Sequence, residues 1–163
     1  IMKKLILTFL ISLFFIGSSF AAGSDDGGSG TKKSKYDQAV KFIKIAKKNE
    51  KKGKDDKAQS NYKKAQKILL KLNKEKPNKP NVLNYLGFTS RKLGDFEGGE
   101  RYYLQGLAIE PDHIGINEYL GELYVATNRH NLAIERLEVL KSCKCKEYDQ
   151  LKAIIAGEKV SKY

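Results

Sequence analysis

The stretch NVLNYLGFTSRKLGDFEGGERYYLQGLAIEP, residues 81–111, decides the fold. Moved forward 34 residues, Tyr85-Leu86-Gly87 falls on Tyr119-Leu120-Gly121, and Leu93-Gly94-Asp95 falls on Thr127-Asn128-Arg129. Gly99 falls on Ala133 and Tyr103 on Leu137. Moved back by the same step, Pro111 falls on Pro77, Gly106 on Leu72, Tyr103 on Leu69 and Gly99 on Ala65. A fixed step of this size marks a repeat architecture, in which each unit buries its apolar face on the next. The residue types fit a helix–turn–helix unit. Gly87 is small enough for a second helix to approach, Gly94 ends the first helix in a left-handed cap and Asp95 caps the next. Gly99 is the small contact on the second helix, Tyr103 fills the space between helices and Pro111 stops the unit.

The pattern works outward from there. In the first unit the turn Lys52-Gly53-Lys54-Asp55 lies 41 residues before Gly94, so seven additional residues separate it from Ala65. Seven residues are about two helical turns, which keeps the buried face in register. The spacing predicts a hairpin lengthened at its tip, with helices over 36–52 and 56–76 and an apolar stripe at Val40, Ile43 and Ala46. Beyond the third unit, Leu151, Ile154 and Ile155 give residues 147–159 one apolar face. That suits a terminal helix covering the open end of a stack.

The 34-residue helix–turn–helix period resembles the tetratricopeptide repeat. The Asn-Glu-Tyr-Leu-Gly-Glu-Leu run at 117–123, and Cys145-Lys146-Glu147-Tyr148 with Leu151 and Ile154 beyond it, are similar to a group of small exported bacterial tetratricopeptide proteins. The resemblance spans roughly residues 81–155. It implies an all-α fold: a right-handed superhelical stack of three helical hairpins at 35–80, 81–113 and 114–146, closed by a capping helix and tail at 147–163. It implies no defined activity.

The start of the chain carries a different signal. Met2-Lys3-Lys4, an apolar run over 5–16 and small residues to Ala22 read as an export leader. Ser19 and Ala21 suit the −3 and −1 positions, which puts cleavage after Ala21 and the mature protein in the periplasm of a Gram-negative bacterium. Ile1 ahead of Met2 is set aside. The alternative is an uncleaved inner-membrane anchor, since residues 5–22 are close to the shortest span a bilayer accepts; after cleavage no transmembrane segment is expected. Residues 22–34 have too little apolar surface to fold and read as a flexible linker. The net charge of +12 is uneven: residues 31–80 hold eighteen lysines and five acids, whereas 81–163 hold eleven basic and twelve acidic residues.

Sites follow from the repeat. In such repeats the first helices line a concave surface, which places Asn84, Phe88, Arg91 and Lys92 of the second unit and Glu118, Glu122 and Val125 of the third in a peptide-binding groove. Asn and Arg suit an extended backbone and Phe88 an apolar side chain. The change from basic to acidic along the groove would orient a protein or peptide partner and repel a free carboxylate at the acidic end. The basic clamp with which some relatives hold a C-terminal carboxylate is not reproduced. Lys47, Lys48, Lys51, Lys52, Lys54 and Lys57 read as a basic tip that suits an anionic surface, or simply a solvated face. Nucleic acid is not expected, because no aromatic residue interleaves those lysines. Cys143 and Cys145 are the two cysteines. They suit a disulfide closing a very small and easily reduced ring, free thiols, or a redox or metal role. His113 and His130 read as surface loop residues, and Glu118 with Glu122 as a solvated pair. No nucleophile–base pair, metal cluster, phosphate loop or cofactor motif stands out. The expectation is therefore a binding adaptor without cofactor or metal, with a thiol-redox accessory or a structural assembly subunit as alternatives.

Overall fold

Ser34 opens the first helix through a capping box: its hydroxyl accepts from the Asp37 amide and the Asp37 carboxylate accepts from the Ser34 amide. The computed structural model describes residues 34–160. The leader, its cleavage point and all of the linker but Ser34 lie outside the described residues. Seven helices follow, α1 (Lys35–Glu50), α2 (Asp55–Glu75), α3 (Pro80–Lys92), α4 (Phe96–Leu107), α5 (Ile114–Ala126), α6 (His130–Leu140) and α7 (Lys146–Ile155). The described chain contains no strand and is all-α. α1 packs with α2, α3 with α4 and α5 with α6; α2 meets α3, α4 meets α5 and α6 meets α7.

The three turns inside the pairs share one conformation. Gly53, Gly94 and Asn128 have φ of 64°, 87° and 59°. Gly enters this left-handed region freely and Asn does so at small cost. The lengthened first hairpin therefore turns at Gly53, as the 41-residue offset predicts. Asp95 caps α4 by accepting from the Gly98 amide, whereas Arg129 makes no side-chain cap to α6. Helix ends fall one to four residues from the predicted bounds. In α1 the buried stripe is Ala39, Ile43 and Ala46, with Val40 only half-buried.

Gly87 and Gly121 occupy the eighth position of α3 and α5, but their neighbours differ. A Cβ on Gly87 would collide with the fully buried ring of Tyr103, while one on Gly121 would meet the methyls of Leu151 on α7. The capping helix thus fills the space that Tyr103 fills one unit earlier. Gly87→Ala should lower stability by about 1–3 kcal/mol despite the helix-propensity gain of about 1 kcal/mol, because a buried ring cannot move aside. Gly121→Ala should cost less, since the opposing atoms end a flexible side chain. Urea midpoints test this, and an unchanged midpoint for Gly87→Ala would contradict the packing.

Candidate functional site

α1, α3, α5 and α7 surround a cleft of about 1260 Å³ with α2 and the C-terminal tail at its rim. Phe88 forms its floor, and three cations converge on that ring. Lys47 Nζ lies 4.5 Å from the ring centroid, Arg91 Cζ 5.8 Å and Lys92 Nζ 6.0 Å. Tyr119 is the second aromatic wall, with its ring centroid 5.0 Å from that of Phe88. Lys47 Nζ also donates to the Tyr119 hydroxyl at 3.1 Å. Cations over aromatic faces gain electrostatic attraction that grows as water is excluded.

Each cation has a different degree of neutralisation. Arg91 donates to the Tyr119 carbonyl at 2.7 Å and to Glu122 Oε2 at 3.3 Å, and Gln150 of α7 donates to Glu122 Oε1 at 3.0 Å. Lys92 pairs with Glu50 at 3.1 Å, and Tyr62 donates to the same carboxylate. Lys47 faces Glu118 and Glu122 electrostatically, and burial still holds its ammonium below the usual lysine range. Burial also lowers Lys92, against the pull of Glu50. Glu118 is pushed up to about 8, first by burial and then by Glu122 and Glu147, with Lys47 and Arg91 opposing. A carboxyl with that value is mostly protonated at neutral pH. Lys47, Lys51, Arg91, Lys92 and Lys159 in the cleft lining outnumber Glu50, Asp55, Glu122 and Glu158, so the formal charge of the lining is positive.

The seven residues expected in the groove separate into two sets. Phe88, Arg91, Lys92 and Glu122 line the cleft, while Asn84, Glu118 and Val125 are not among its lining residues. Asn84 packs its amide over Gly115. Five of the seven are buried rather than presented to solvent: Phe88 and Arg91 are 2% exposed, Glu122 5%, Glu118 6% and Asn84 7%. The solvated Glu118–Glu122 pair is thereby corrected, and so is the acidic end of the groove. Glu122 is engaged by Arg91 and Gln150, and Glu118 is buried outside the cleft lining, its carboxyl pushed up first by that burial.

Lys47 requires a second correction. It was expected on the basic tip, where Lys48, Lys51, Lys52, Lys54 and Lys57 are indeed exposed, but it is half-buried in the cleft. The signal that would have found it was present. The 41-residue offset aligns Ala46 with Gly87, and hence Lys47 with Phe88. His113 is not a surface residue either: its Nδ1 accepts from the Ile116 amide at the start of α5, and its Nε2 lies 3.1 Å from Asn81 Oδ1. His130 is exposed at the start of α6.

Cys143 and Cys145 form a disulfide in the loop between α6 and α7. On the chain-entropy relation a loop this short is worth about 1.6 kcal/mol, roughly half the value for a fifteen-residue loop. Among the described residues no helix is long and apolar enough to cross a membrane. No protein-family model matches the chain, and no curated protein is significantly similar to it.

Proposed function

We propose that this chain is an exported adaptor of the tetratricopeptide-repeat type, its helix pairs stacked as a right-handed superhelix, that holds an acidic segment of a partner polypeptide in the cleft. The observation that carries this reading is the convergence of Lys47, Arg91 and Lys92 on Phe88 at the floor of a cleft of about 1260 Å³. The net positive charge favours a carboxylate side chain, and the aromatic floor favours an apolar neighbour beside it. The leader-like start of the chain supports a periplasmic location. Exposed Lys48, Lys51, Lys52, Lys54 and Lys57 offer a second contact to an anionic surface at the tip of the first hairpin.

The test is photo-crosslinking in intact cells from a reactive side chain placed at Gln59 or Gln150, both in the cleft lining, with exposed Arg101 on α4 as control. A discrete protein adduct is expected from the two cleft positions only. Lys47→Met keeps the apolar stem and removes the charge, so it should cut the adduct and the affinity about tenfold or more with no loss of stability. Equal adducts from Arg101, or an unaffected Lys47→Met chain, would refute the reading.

A further inference from the structure

We propose that the Cys143–Cys145 disulfide is a thiol–disulfide exchange site that oxidises dithiols of flexible polypeptides. This does not rest on the cleft. The bond joins half-buried residues two apart, in a loop that reverses through Lys144 at φ 48°. A cross-link over one intervening residue constrains the unfolded chain less than a bridge over a long loop does. Nor does α7 need it for docking: Leu151 is fully buried against Gly121 and Ile154 is buried beside the cleft. A bond with the least closure entropy to gain, next to a helix docked by its own apolar contacts, is better explained by its reactivity.

The two cysteines lie between the end of α6 and the start of α7. Cys145 is the N-cap residue of α7, a helix of ten residues; in the disulfide its side chain makes no hydrogen bond to the first-turn amides, and once released as a thiolate it gains from the positive end of that dipole. Cys143 follows the C-terminus of α6, and its amide donates to the Leu140 carbonyl at 3.1 Å, so this residue is on the side of the negative helix end. Exposed Lys144 stands between them. Lys146 is bridged to Glu147 and Lys141 to Glu138, and Glu147 and Asp149 in the first turn of α7 oppose the dipole in part. The polarity makes Cys145 the better leaving group and Cys143 the sulfur to attack.

The exchange balances without a further reactant. A substrate thiolate attacks Cys143 Sγ, the internal S–S bond breaks and its electron pair leaves on Cys145 Sγ. A second substrate thiolate then attacks the substrate sulfur of this mixed disulfide and releases Cys143 as thiolate. The substrate dithiol loses two electrons and the cysteine pair gains them, while the two protons pass through solvent. A disulfide-carrying oxidant restores the pair by the same steps reversed.

The oxidised full-length chain is mixed, without oxygen, with reduced unfolded ribonuclease A, and thiols are counted on both proteins. One pair of ribonuclease thiols should vanish for each cysteine pair that appears, and Cys143→Ser with Cys145→Ser should oxidise none. Cys145→Ser alone keeps the attacked sulfur but lacks an internal bond, and it too should oxidise nothing. In the reduced chain below neutral pH, iodoacetamide should modify Cys145 about tenfold faster than Cys143. Ribonuclease thiols that persist alongside the oxidised chain, or equal alkylation of the two cysteines, would overturn the proposal. So would a large fall in the urea midpoint on reduction, which marks a structural staple.

Discussion

Arg91→Met is expected to lower the free energy of unfolding by about 3–5 kcal/mol, the range for breaking one partner of a buried ion pair. The Arg91 side chain is fully buried and that of Glu122 nearly so. Methionine replaces most of the volume but none of the hydrogen bonds to the Tyr119 carbonyl and to Glu122. It leaves the Glu122 carboxylate beside Gln150 without its guanidinium, in a site where charge is poorly solvated. Stacking over Phe88 and Tyr119 is lost as well.

The double variant Arg91→Met, Glu122→Leu separates pairing from packing. Replacing both ions by apolar groups removes the uncompensated charge, so the double variant should regain a large part of what Arg91→Met loses. The coupling from the cycle should exceed about 1 kcal/mol. Urea unfolding of the four proteins measures it. An Arg91→Met chain within about 0.5 kcal/mol of the parent would show that the pair is not formed in solution. Arg91 is for the same reason a poor probe of binding, because loss of a partner in an Arg91 variant would report unfolding. Lys47 is only half-buried, and its ammonium hydrogen-bonds a neutral hydroxyl rather than a buried carboxylate, so its charge can be removed without leaving an uncompensated buried ion.

Legibility in the sequence divides along the same line. The turns were readable because only residues tolerant of the left-handed region fit them, and Gly53, Gly94 and Asn128 are such residues. The equivalence of α3 to α5 and of α4 to α6 in successive hairpins was readable from small residues at a fixed step. Burial of charge was not. Glu118 and Glu122 four apart on one helix read locally as a solvated face, and only the docking of α7, with Gln150 and Glu147, changes their surroundings. Lys47 read as one of a run of tip lysines because the aromatic rings that cover it belong to α3 and α5, over forty residues away. His113 escaped notice because a ring nitrogen is an unusual helix cap.

Glu118 gives the second large effect, and its sign is fixed by the direction of its shift. Its folded value, about 8, lies above the ordinary 4.5, so the native state holds a proton that the unfolded chain releases. The associated stability is fully present below the unfolded value and is lost as pH rises from about 4.5 through about 8. At 1.36 kcal/mol per pH unit the loss is on the order of 5 kcal/mol. Burial is the main cause, with Glu122 and Glu147 adding repulsion and Lys47 and Arg91 relieving part of it. Glu118→Gln keeps the shape of the neutral carboxyl and cannot ionise. Its urea midpoint should therefore fall much less between pH 5.5 and pH 8.5 than the parent's, and at pH 8.5 it should be the more stable protein. Parallel pH profiles for the two chains would place the Glu118 carboxyl in water rather than behind the cleft. The same proton bears on the proposed ligand: ionised Glu118 would offset the charge of Lys47 and oppose an incoming carboxylate. An acidic peptide should then leave the parent's cleft above pH 8 and stay in that of Glu118→Gln.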